Sequence, residues 1–153
     1  MTNIDALRRR TFLGLLASLP AMAALSPAAA ADTEIGFDDL YGSVGVLGLT
    51  FSDTVKALNG KGVTMSGFMA PPLKAEAAFF VLTEIPMSIC PFCSSDSDWP
   101  DNIVVVYLDA AQTFVQPGTR ISVSGTLDVG TWTDPETGFV SRLRLRDAHY
   151  WSV

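Results

Sequence analysis

The chain has two cysteines and one histidine in 153 residues. A single imidazole leaves few options for a Ser-His triad, and no serine stands in a nucleophile elbow. No glycine-rich phosphate loop leads from a strand into a helix. Basic residues are few, 10 against 16 acids, which gives a net charge of −6 and a pI of about 4.5. Such a balance opposes a protein that grips nucleic acid by neutralising phosphates. Long charge runs are missing, and the 48% hydrophobic content is that of a folding chain rather than a disordered one. The length suits one domain.

The chain opens with the signs of an export address. Arg8, Arg9 and Arg10 precede Thr11-Phe12-Leu13 and an alanine-rich apolar stretch through Leu25. A basic segment, an apolar segment and then small residues make a secretory signal. The form Arg9-Arg10-Thr11-Phe12-Leu13 resembles the twin-arginine export motif, and Ala28–Ala31 offers small residues for cleavage. A membrane anchor fits less well: a spanning helix needs about 20 apolar residues, and Pro20 and Pro27 interrupt this stretch. Residues 1–31 are therefore expected to be a cleaved twin-arginine signal, which makes the mature chain periplasmic without membrane insertion. Its loss removes three bases and Asp5, leaving 7 bases against 15 acids, a net charge of −8.

Turn residues cut the remainder into short elements. Phe37–Tyr41 suits one helical turn, and Gly42, Gly45 and Gly48 prevent a longer one. Ser52 is placed to cap a short helix over Asp53–Leu58 that Asn59-Gly60 terminates. Strands are predicted over Val63–Met69, Ala77–Ile85, Ile103–Leu108, Arg120–Val129 and Phe139–Trp151. Ile103–Leu108 is apolar throughout, as in a strand covered on both faces. In Arg120–Val129, Ile121, Val123 and Leu127 share one face, while Ser122, Ser124, Thr126 and Asp128 share the other. The expected fold is all-β: a small five-stranded OB-like barrel with a short N-terminal helix. The expected division is a signal over 1–31, an N-terminal extension over 32–50 and the OB-like β domain over 51–153.

The run Leu58-Asn59-Gly60-Lys61-Gly62-Val63, followed by Gly67-Phe68-Met69-Ala70-Pro71, resembles the opening of a family of exported bacterial proteins. The likeness continues through Phe79-Phe80-Val81-Leu82, a cysteine-bearing loop, Pro100-Asp101-Asn102 and Val123-Ser124-Gly125-Thr126-Leu127. It spans residues 58–151. It implies an OB-like barrel with a periplasmic accessory role beside ABC transport systems, some tied to zinc. This chain departs from the family pattern at Ser94-Ser95-Asp96-Ser97-Asp98, where a proline-rich stretch that sometimes carries His is expected.

Cys90-Pro91-Phe92-Cys93 holds both cysteines. Such a pair forms a loop-stapling disulfide, grips zinc or exchanges disulfides, and the readings rank in that order. Exchange ranks last because no helix follows Cys93, and Asp96 and Asp98 nearby raise a thiol pKa rather than lower it. Zinc would take Cys90 and Cys93, with His149 and an oxygen from Asp96, Asp98 or Asp101 as candidate further ligands. His149 shares a strand face with Leu143 and Leu145 unless a bulge intervenes. Arg142, Arg144 and Arg146 make a short basic stripe that pairing with Asp128 or Glu136 would explain. Trp132, Tyr150 and Trp151 are either core plugs or a recognition surface.

These readings converge on a periplasmic binding or accessory protein that handles metal, zinc first, through the Cys90–Cys93 loop beside ABC transporter components. The alternatives are a thiol-disulfide redox protein and a non-catalytic interaction domain with a structural disulfide.

Overall fold

The computed structural model describes residues 32–45, 48–71, 78–87 and 99–153. The expected signal and the candidate ligands Cys90, Cys93, Asp96 and Asp98 lie outside the described residues.

The segment ahead of the Asp53–Leu58 helix contributes both strands and core residues. β1 (Thr33–Glu34) leads through a single 3-10 turn at Phe37–Asp39 into the hairpin of β2 (Tyr41–Gly45) and β3 (Gly48–Phe51). Ile35, Phe37 and Leu40 are buried in the main core. The single turn at Phe37–Asp39 lies within the segment expected to form one helical turn. Burying each of the three apolar side chains contributes about 1.5–3 kcal/mol, which offsets the entropy of ordering the segment. The main core thus includes Ile35, Phe37 and Leu40 from the expected N-terminal extension.

α1 (Asp53–Leu58) forms as its flanks predict. The Ser52 hydroxyl accepts a hydrogen bond from the Val55 amide at 3.1 Å, and Gly60 takes the left-handed conformation (φ 78°) that ends the helix. Among the described residues, no helix is long and apolar enough to cross a membrane.

The five expected strands follow as β4 (Gly62–Met69), β5 (Phe79–Thr83), β6 (Ile103–Leu108), β7 (Arg120–Thr133) and β8 (Val140–Ser152). The chain is thus predominantly β. A six-stranded sheet runs in the order β1-β4-β5-β6-β8-β7, and β4 also pairs with β7 over Gly62–Phe68. β1–β4 and β6–β8 are parallel, and the other pairs of this sheet are antiparallel. β6 is covered on both faces, as its apolar run requires: Val104 and Val106 face the main core, while Ile103 and Val105 join Phe79, Val81 and Trp99 in a second cluster. The Trp99 indole N–H donates to the Tyr41 hydroxyl at 2.8 Å, tying this cluster to the β2–β3 hairpin.

Candidate functional site

Of the expected ligands, His149 and Asp101 are described. His149 is exposed, not buried beside Leu143 and Leu145. The cause is a bulge: Thr126 pairs with Arg146 and Ser124 with His149, so Asp147 and Ala148 oppose Gly125 alone. Asp147 takes φ 50° to make the extra step. The step turns Ala148 and Tyr150 inward and sends His149 and Trp151 out, where their rings stack at 5.6 Å. His149 also lies past the Leu108 end of β6, whereas the cysteine-bearing connection joins at the Ile103 end. Those ends are about 17 Å apart along the strand. Among the described residues, no group of three His, Cys, Asp or Glu side chains is arranged to hold a metal ion.

The arginine stripe is held by the sheet. Arg144 is 3% exposed and gives Nε and Nη2 to Asp128 Oδ2 at 3.2 and 3.0 Å. Its Nη1 donates to the Gly130 carbonyl at 2.8 Å and to the Ser141 carbonyl and hydroxyl at 3.0 and 3.1 Å. Gly130 lies where the β7–β8 register slips between Val129 and Trp132, so the guanidinium satisfies a carbonyl at an irregular point of the ladder. Arg146 also donates to Asp128 and stacks its guanidinium 4.6 Å from the Trp132 ring centre. Arg142 donates to the Leu49 carbonyl at 3.2 Å and lies over Phe51. The expected Asp128 partner is therefore found for two of the three arginines. Burial works to raise the Asp128 carboxyl, but the hydrogen bonds from Arg146 and Arg144 hold it below its ordinary value.

The β7–β8 turn is equally committed. Asp134 Oδ1 accepts from the Glu136 and Thr137 amides and the Thr137 hydroxyl, while Oδ2 accepts from the Tyr107 hydroxyl at 3.1 Å. Burial opposes its ionisation, but the Thr137 hydroxyl and amide and the other donors outweigh it and hold the carboxyl low. Burial, reinforced by the Asp134 charge, raises the Tyr107 phenol above its ordinary value of 10.0.

A third region differs. A cleft of about 600 Å³ is lined by Glu34, Ile35 and Gly36 from the N-terminal segment, Ser66 from β4, Glu84 and Ile85 beyond β5, and Arg120 at the start of β7. It arises from a gap in strand pairing. The β1 register on β4 ends at Thr64 and that of β5 begins at Phe68. The Ile35 amide donates to the Thr64 carbonyl at 3.0 Å, so the Thr64 backbone faces this edge. Strand alternation turns the N–H and C=O of Ser66 the same way, into the gap. β5 reaches β4 closely because position 67 has no side chain: a Cβ there would stand 2.6 Å from the Thr83 carbonyl oxygen. The Thr83 hydroxyl bridges toward the Phe68 and Ile85 carbonyls at 3.1 and 2.7 Å, fixing the bend that carries Glu84 and Ile85 to the cleft wall.

Glu34, Glu84 and Arg120 enter no ion pair among the described residues. Asp39, also on the wall, is partly spent on the Gly36 amide at 2.9 Å. Ile85, 57% exposed, adds an apolar rim. Sequence reasoning missed this site because its parts come from four segments whose meeting depends on the register of β4.

No family model matches the chain, and no curated protein does. Among solved structures it is similar to a DUF3299 family protein from Pseudomonas aeruginosa PAO1, with a TM-score of 0.53 and 14% identity over 80% of this chain and 97% of that one. At that identity the likeness speaks for the fold alone.

Proposed function

We propose that this chain is an exported binding or accessory module built on a five-stranded OB-like barrel. The barrel reading is supported by the pairings, which run β4–β5–β6–β8–β7 and return to β4 with one parallel step at β6–β8. Its working surface is the cleft together with the connection from β5 to β6. The observation that carries this reading is that Glu84 and Ile85 line the cleft and lead directly into the segment holding Cys90 and Cys93. One surface then presents Glu34, Glu84 and Arg120 outside the ion pairs of the described residues, and the chain's two thiols follow it in sequence. Zinc is the cargo the thiols suit, with Asp96 and Asp98 as nearby oxygen donors. The association with ABC transport rests on the sequence resemblance.

Bound metal and free thiols, measured together on the purified protein, test the reading. Stoichiometric zinc that is lost in Cys90→Ser supports metal handling. An absence of metal with a readily reduced bond favours thiol exchange, and an absence of metal with a bond that resists reduction leaves an interaction domain.

A further inference from the structure

We propose that the cleft binds a short peptide with free ends, two or three residues long, through its terminal charges and backbone. The proposal rests on reading the cleft as a binding surface and is independent of zinc. Arg120 stands on one side and Glu34 and Glu84 on the other walls, with no ion pair among them. A simple anion would meet the Glu34 and Glu84 carboxylates and that of Asp39, and a simple cation would meet the guanidinium. A ligand carrying both charges, set apart, satisfies the set.

The spacing suits a peptide better than a single amino acid. Arg120 on β7 and Thr83 on β5 both pair with Phe68, so β4 lies between them. Strand neighbours are about 4.8 Å apart, which puts the β5 and β7 backbones roughly 10 Å from each other. An extended chain covers about 3.4 Å per residue, so three residues bridge that width. The volume, about 600 Å³, lies within the range of ordinary ligand sites.

Each part of the ligand then has a partner. The guanidinium of Arg120 takes the C-terminal carboxylate, a geometry it can satisfy with two parallel bonds. Glu34 and Glu84 face the N-terminal ammonium. The outward N–H or C=O of Ser66, on the stretch of β4 that neither β1 nor β5 pairs, offers the crossing peptide one backbone hydrogen bond. Ile85 at the rim covers an apolar side chain.

Titration of the full chain with Ala-Leu-Ala, followed by backbone amide NMR and calorimetry, tests this. The free peptide should bind saturably, with shifts centred on Ser66, Glu84 and Arg120. N-acetylation or C-amidation should each weaken binding about tenfold by removing one charge-assisted contact. In Arg120→Gln the C-terminal amide should cease to matter, and in Glu34→Gln/Glu84→Gln the acetyl group should cease to matter. Absence of saturable binding, or equal affinity for the free and doubly capped peptides, overturns the proposal. Zinc bound at Cys90 without peptide binding removes this inference and leaves the metal reading. Peptide binding without zinc keeps the inference and removes that reading.

Discussion

β7 passes through two charged regions that are built differently. At its start, Arg120 shares a cleft with Glu34 and Glu84 and pairs with neither. Farther along, Asp128 is gripped by Arg144 and Arg146, and Arg144 is also spent on Gly130 and Ser141. The second region is structural: a buried guanidinium must be matched bond for bond or the sheet loses stability. The first bears charge in a concavity that folding does not require to be satisfied. Counting charged residues does not separate the two; tracing each one's partners does.

Substitutions should widen or erase that difference. The largest effect is expected from Arg144→Met, which strands Asp128 with one partner and frees the Gly130 carbonyl; unfolding in urea should report a loss of about 3 kcal/mol. Gly67→Ala should follow, at about 2 kcal/mol, because its Cβ would meet the Thr83 carbonyl at 2.6 Å and push β5 off β4. Asp134→Ala removes the acceptor that closes the β7–β8 turn and should cost about 2 kcal/mol. At the small end, Arg120→Gln and Glu84→Gln should each shift stability by under about 0.5 kcal/mol. If Arg120→Gln destabilised as much as Arg144→Met, the distinction between the regions would be gone.

Acid should act on the committed regions. Asp128 and Asp134 both have carboxyls held below the ordinary value of 3.8. A depressed carboxyl stabilises the fold above its unfolded value, and that stability fades as pH falls through the folded value. The urea midpoint should therefore hold steady above about pH 5 and decline below about pH 4, and the decline should be shallower in Asp134→Asn.

Much of this architecture was legible in the chain, and the exceptions share a cause. Ser52 and Asn59-Gly60 mark α1 by local chemistry, and Ile121, Val123 and Leu127 mark the inner face of β7 by alternation. β1 was missed because two residues held by backbone bonds to β4 leave no side-chain pattern. His149 turns outward because Asp147, a bulge residue without glycine, adds the extra step on which its expected face depended, and no side-chain pattern marks that step in the sequence. The Asp128 pairing was foreseeable since cross-strand neighbours on β7 and β8 follow from one tight turn. The cleft was not, because Glu34, Ser66, Glu84 and Arg120 meet only through long-range register.

The most direct measurement is the affinity of Ala-Leu-Ala for Arg120→Gln protein whose urea midpoint matches the wild type. Binding weakened about tenfold at unchanged stability is the predicted result. Unchanged affinity, with the C-terminal amide still discriminated against, would contradict the assignment of Arg120 and with it the view that the cleft holds its charge for a ligand.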